Sequence, residues 1–235
     1  MKREFLMKLS QFFNVRHWFS VLYKRRQLEN HDFSILCNRC LGGTISHALG
    51  ERFRSPTVNL IIDDKAFLFF CEHIREYSDC PLELPTSEEL RLLPKTSFPV
   101  GVLRGKDDLP AIPIFFMHFK TFEQAKEKWE LRYKRINYEN ICIMMDCKMH
   151  ATKKFLDDFE KLPIERKVVF SHNDDPERWP SNFHYSFYTK EKHGDGVLYR
   201  KVRRGFLEYQ WMDEFDYITW LNDGTIQKSD LILES

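Results

Sequence analysis

The amino-acid sequence predicts an α/β protein, a mostly parallel sheet flanked by helices and preceded by an amphipathic helix. Two observations predict it. Short apolar runs alternate with stretches of helical periodicity, the pattern of strands connected through helices. The chain has 235 residues, 43% of them hydrophobic, which is enough for one substantial core and too few for two comfortable ones. One domain is therefore expected over 32–222, with a basic helix in 1–31 and a C-terminal tail in 223–235.

Residues 4–24 form the first predicted element, with Phe5, Leu9, Phe12 and Phe13 on one side and basic groups elsewhere. Strands are expected at 33–37, 58–62, 98–103, 112–117, 141–145 and 167–170. Asp64 is a candidate cap for a helix over 66–77, where Phe67, Phe70, Cys71 and Ile74 share one face. Thr121 and Gln124 have capping-box spacing and open a helix reaching about Arg135. Phe155, Leu156 and Phe159 mark a third helix.

The formal net charge is +1, with charged residues at 30%, so no global field argues for nucleic acid. The average hides an asymmetry, because residues 1–26 carry +6 and the rest of the chain −5. That segment suits an anionic membrane surface. It equally suits packing on its own domain or on a second subunit of a homo-oligomer. Lys8, Gln11 and Arg16 interrupt the apolar run a signal peptide needs, and no later window holds ~18 consecutive apolar residues. The expected location is cytoplasmic, peripheral to the inner membrane face where residues 1–26 reach it. In that compartment the six cysteines are expected as thiols.

Several predicted strands end in polar clusters: Asn38, Arg39 and Cys40; Asp63 and Asp64; His118 and Lys120; Asp146, Cys147 and Lys148; Ser171, His172 and Asn173. Ligands of open parallel sheets bind beyond the carboxyl ends of the strands, so these clusters are candidates for one crevice. The alternative is that strands end in polar residues because the chain returns to solvent.

Cys40 stands in a turn followed by Gly42 and Gly43, with a helix expected from Thr44 onward. Amides of that turn and helix start suit an anion or oxyanion, and their field favours a thiolate. A neighbouring histidine would make Cys40 a nucleophile, the candidates being His47, His118 and His172. His118 and His172 each follow an apolar strand, a placement that suits a general base. The Cys37-x-x-Cys40 spacing suggests a redox pair, but Cys37 falls inside an apolar strand. No metal site is assigned, since Cys142 and Cys147 have neither zinc spacing nor a histidine pair. Asp63 and Asp64 suit a sugar hydroxyl or a cation, although one of them is needed as a helix cap. Lys128, Arg132 and Arg135 recur at helical spacing, a stripe that faces either a phosphate or solvent and the acids Glu123, Glu127 and Glu130.

The order of motifs resembles a known family. Phe33-Ser34-Ile35 leads into Asn38-x-Cys40-x-Gly42-Gly43, then Leu49-Gly50 and Ser55-Pro56-Thr57. Phe98-Pro99-Val100-Gly101, His118-Phe119, Lys128-Trp129-x-x-Arg132-x-x-Arg135-Ile136-Asn137 and Lys167 to His172 follow, ending in Phe215-Asp216-Tyr217-x-x-Trp220-Leu221-Asn222. This resembles bacterial domain-of-unknown-function family 1919, whose members are commonly labelled exopolysaccharide biosynthesis proteins. Arg39, Leu41 and Lys120 depart from the residues usual in that family. The resemblance implies a Rossmann-like sheet and a setting of capsule or exopolysaccharide synthesis.

The function expected is a transferase acting on a surface glycan or its lipid-linked precursor, most directly an acyltransferase or acetyltransferase with acyl-CoA as donor. Cys40 would be the nucleophile and His118 or His172 the base. Asn38, Gly42, Gly43, Asp63, Lys120, Arg132, Arg135 and Asp146 would hold the substrate. Two other readings stand beside it. One is glycosyl or phosphoglycosyl transfer, with Asp63 or Asp146 on a metal and Arg132 or Arg135 on a diphosphate. The other is a non-catalytic glycan-binding or assembly protein, with Trp179, Tyr185, Tyr188 and Tyr199 stacking on sugars.

Overall fold

The structure, a computed structural model, describes residues 15–148, 151–185, 201–204 and 207–229. In chain order the elements are α1 (Val15–Gln27), β1 (Ser34–Cys37), α2 (Leu41–Leu49), α3 (Asp64–Glu72), β2 (Leu82–Glu83), α4 (Ser87–Leu92), β3 (Val100–Leu103), β4 (Ile112–Phe115) and α5 (Phe122–Tyr133). There follow β5 (Ile141–Lys148), α6 (Lys153–Glu160), β6 (Arg166–Ser171), β7 (Asn182–Phe183), β8 (Lys201–Arg204), β9 (Leu207–Gln210) and α7 (Tyr217–Asp223). The fold is mixed α/β. Its main sheet has the order β1-β5-β6-β7 with every neighbouring pair parallel.

Strand alternation divides the core in two. Leu36, Ile143, Met145 and Val169 point to one face of the sheet, where they meet α3, α5 and α6. Ile35, Cys37, Cys142, Met144, Val168 and Phe170 point to the other, against α2 and α7. A sheet buried on both faces needs strands apolar at consecutive positions, as these are.

Two predicted strands go elsewhere. β3 and β4, at the expected 98–103 and 112–117, join β2 in a separate antiparallel sheet. The apolar run 58–62 is not a strand, because Asn59 sits at φ 66°, a left-handed conformation that breaks extension and that asparagine tolerates. Only Ile61 pairs, exchanging both backbone bonds with Phe115 at 2.7 and 2.9 Å. Its neighbour Ile62 donates to the Asn38 carbonyl at 3.0 Å. This segment therefore stitches β4 of the small sheet to β1 of the large one.

The glycines also differ from expectation. α2 begins at Leu41, with Cys40 as its N-cap, so Gly42 and Gly43 lie inside the first turn rather than delaying the helix. The cause is close packing. A Cβ at Gly42 would stand 2.6 Å from Ile35 Cγ2, and one at Gly43 2.9 Å from Val58 Cγ1.

At the N-terminus the apolar stripe of Phe5, Leu9, Phe12 and Phe13 lies outside the described residues. In α1, Lys24 is buried, with Nζ 2.6 Å from Asp213 Oδ1 and 4.9 Å from the Tyr217 ring centroid. Arg25 Nε donates to the Ala48 carbonyl at the end of α2 at 3.0 Å. Two of the basic groups are thus engaged by the domain itself. No helix among the described residues is long and apolar enough to cross a membrane.

Gly42→Ala should destabilise the chain by about 1–2 kcal/mol, since overpacking against Ile35 outweighs the small propensity gained in a first turn. Urea unfolding followed by circular dichroism measures it, and Gly43→Ala should cost less.

Candidate functional site

Because β1, β5, β6 and β7 run parallel, their carboxyl ends share one edge. The chain leaves β1 at Asn38, a side chain with no exposed surface. Asn38 Oδ1 accepts the Asp146 amide at 2.9 Å, while Nδ2 donates to the Asp146 carbonyl at 3.3 Å and to Asp64 Oδ1 at 2.8 Å. The carboxamide imitates a strand residue, holding both backbone groups of Asp146 in β5. Arg39 adds a bond from Nε to the same carbonyl at 3.1 Å, and its guanidinium reaches within 3.9 Å of Asp64.

Asp64 opens α3 and is half-buried. Burial raises its pKa, offset in part by Arg39, by the Asn38 amide and by the Cys147 thiol. Burial pushes the Cys147 thiol well up as well, which keeps it a neutral donor. The helix cap is Asp63, not Asp64: its carboxylate accepts from the Lys65 and Ala66 amides at 3.1 and 3.4 Å. Asp63 is exposed and occupied as a cap.

None of the six cysteines is in a disulfide, and Cys40 alone is half-buried while the other five are buried. Burial pushes the Cys37 thiol up to about 12, although the Arg39 and Gly42 amides act against it. Cys40 sits at the N-cap of α2 without capping it through its side chain, at the positive end of the helix field.

Strand alternation sorts the remaining candidates. Asp146 pairs in register with Phe170, which points to the α2 face, so Asp146 shares that face and is buried. His172 is half-buried and follows the last residue of β6, Ser171, at the same carboxyl edge. Neighbouring strands are ~4.8 Å apart, so about 10 Å separates β1 from β6, with Asp146 on the strand between them. His47 is exposed in the last turn of α2, seven residues and ~10 Å from the N-cap. His118 and Lys120 are exposed beyond β4 and leave from the antiparallel sheet, so the carboxyl-edge argument does not gather them.

The expected basic stripe is divided: Lys128 is exposed and pairs with Glu127 at 3.1 Å, whereas the arginines turn inward. Arg132 is buried, donates to the Val58 carbonyl at 3.2 Å and lies 5.1 Å from the Phe53 ring. Burial and the neighbouring Arg135, itself half-buried, lower its pKa. Arg132 thus fixes the segment that packs on Gly43. The aromatics expected on sugars are in part core residues: Tyr185 is fully buried, and Trp179 is buried with Nε1 donating to Asp157 at 2.8 Å. Tyr188 and Tyr199 lie outside the described residues. Among the described residues no group of three or more histidine, cysteine or acidic side chains is arranged to hold a metal ion.

Sequence reasoning missed His184, at the end of β7. Its Nδ1 lies 3.2 Å from the Ser171 carbonyl. A carbonyl only accepts, so Nδ1 carries a proton in this contact and Nε2 is the nitrogen left facing away from it. The signal was present in the spacing of Phe183 and Tyr185, which share a face, but the strand is only two residues long.

These features define a mixed α/β protein whose parallel sheet carries, at its carboxyl edge, one half-buried thiol at a helix start, a buried carboxylate and a histidine. The chain belongs to the family described as domain of unknown function (DUF1919), which matches residues 12–222. It is also similar to a Haemophilus influenzae protein named only as an uncharacterized protein, 31% identical over 198 residues, which covers 84% of this chain and 88% of that one.

Asn38→Ala should cost about 2–4 kcal/mol in denaturant unfolding, because it removes the acceptor of the buried Asp146 amide and one donor each from the Asp146 carbonyl and Asp64. Asp64→Asn should raise the thermal midpoint at pH 7. A carboxyl with a raised folded-state pKa contributes stability below its ordinary value of 3.8 and loses it as pH climbs through the raised one. The advantage of the variant should therefore close toward pH 3.

Proposed function

We propose that the chain is a transferase that moves an acyl group onto a surface glycan or its lipid-linked precursor, with Cys40 as nucleophile. The observation that carries this is the singular position of Cys40: half-buried at a helix N-terminus while five other thiols are buried. Such a position favours the thiolate. In the proposed cycle the Cys40 sulfur attacks the carbonyl of an acyl-CoA thioester, its proton passing to His172. The acyl–sulfur bond to Cys40 forms, and the donor leaves as the free thiol with that proton. His172 then takes the proton of a sugar hydroxyl as its oxygen attacks the acyl-Cys40 carbonyl, releasing the ester and returning the proton to the Cys40 sulfur. Asp146, on the strand between them, is suited to orient His172.

The exopolysaccharide setting rests on the family resemblance, and the Rossmann-like character of the sheet on its parallel order and the use of its carboxyl edge. Residues 1–26 remain proposed for an anionic membrane surface on the cytoplasmic side, with Lys24 and Arg25 removed from that role. The competing readings have less behind them, since Asp63 caps a helix, Arg132 is buried on Val58, and Trp179 and Tyr185 are in the core.

Limiting iodoacetamide on the native chain should label Cys40 first, which peptide mass spectrometry reads directly. A strain carrying Cys40→Ala should lose acyl substituents from its surface polymer, and His172→Ala should slow their addition by about 10²–10⁴-fold. An unchanged acyl pattern in the Cys40→Ala strain would remove Cys40 from the reaction.

A further inference from the structure

The face of the sheet opposite α2 carries a second feature at the same edge. α3 starts where Ile62 leaves the Asn38 carbonyl, and α6 starts just past β5, so the first turns of both helices flank the carboxyl ends of β1 and β5. Between them lies a cleft of about 450 Å³, within the range of small-molecule sites. Its floor is apolar: Leu68 and Phe69 from α3 are half-buried against the core, and Phe155 from α6 is buried. Its rim holds three cations, Lys65, Lys154 and Lys161.

The rim charges decide what the cleft can take. Lys154 and Lys161 both reach Asp158, at 2.7 and 2.9 Å, and hold that carboxyl down at about 2. Glu72 is the other acid there, so three cations face two anions. Both lysines are largely exposed, at 85% and 71%. Exposed pairs of this kind are weak, so a multiply charged anion can take the ammonium groups from Asp158. An apolar floor under a cationic rim fits a molecule with a flat or apolar body and an anionic head.

We propose that the cleft between α3 and α6 binds a phosphate ester bearing an apolar or aromatic moiety. This deepens the transfer reading and rests on it for its purpose, since such a ligand is either the nucleotide-like end of an acyl-CoA donor or the phosphate of a lipid-linked acceptor. The cleft runs along both helices, from Lys65 and Thr152 at their starts to Glu72 and Lys161 at their ends, so a ligand whose reactive end lies toward Lys65 and Thr152 would point to the edge of the sheet that carries Cys40.

The test is calorimetric titration of the full chain with coenzyme A and, separately, with farnesyl phosphate, each beside its phosphate-free counterpart, adenosine or farnesol. Saturable binding is expected for one of the two phosphate esters. The identity of the binder assigns the source: coenzyme A marks a nucleotide-type donor, farnesyl phosphate a lipid-linked acceptor. The phosphate-free counterpart and the double variant Lys65→Glu/Lys161→Glu should each bind about tenfold more weakly or worse, and added salt should weaken the wild type. Circular dichroism confirms that the double variant, changed only at the surface, is folded. The proposal is overturned if neither ester binds, if the counterpart binds as well, or if charge reversal leaves the affinity unchanged. A Cys40→Ala strain with an unaltered acyl pattern, alongside charge-sensitive binding, would sink the transfer reading and leave the cleft standing.

Discussion

The carboxamide of Asn38 is the contact on which the edge of the sheet depends. The β1–β5 ladder ends at the pair Cys37 and Met144, because the next carbonyl, that of Asn38, is taken by Ile62. Without a substitute, β5 would lose its neighbour where it enters the irregularity between Asp146 and Lys148. The side chain of Asn38 supplies that substitute by bonding both backbone groups of Asp146. The main chain is then free to turn into α2, which places Cys40 at the helix start. An aspartate could not do this, having no hydrogens to donate, and leucine of similar size would take a partner from three polar groups, the Asp146 amide and carbonyl and Asp64 Oδ1.

The same residue joins the two sheets. Its carbonyl holds Ile62 while Ile61 holds Phe115, so the antiparallel sheet is bonded to β1 through a two-residue step. Arg132 braces the preceding stretch at Val58, and Val58 in turn packs on Gly43. A helix start, a sheet junction and a buried guanidinium therefore share one set of contacts. This explains why the glycines serve packing: the segment 51–62 and β1 both press on the first turn of α2, leaving no room for a Cβ on either side.

Much of this was legible in the sequence, for reasons that differ by residue. β1, β5 and β6 were visible because strands buried on both faces are apolar at successive positions. β7 was not, because two residues make no run. Residues 58–62 looked like a strand because apolarity reports burial, and burial does not require extension; the left-handed Asn59 decides the matter locally. At the site, Asn38, Cys40 and Asp146 could be singled out by type, but the bonds between Asn38 and Asp146 span 108 residues of chain. No local pattern encodes such a partner. The stripe of Arg132 and Arg135 has correct helical spacing, yet the burial of Arg132 comes from Phe53 and Val58 on a distant loop.

The period of the strands has a chemical consequence at the edge. Asp146 and Cys147 are adjacent in sequence and point to opposite faces, the first toward α2 and the second into the core beside Asp64. The α2 face thus carries a half-buried thiol and a buried carboxylate, with the half-buried His172 just past the end of β6. The α3–α6 face carries an apolar floor and lysines, groups suited to holding an anion without reacting with it. Arg39 stands between the two, tied to the Asp146 carbonyl and near Asp64. Separating them across the sheet keeps the lysines from the field around Cys40 by a layer of low-dielectric core.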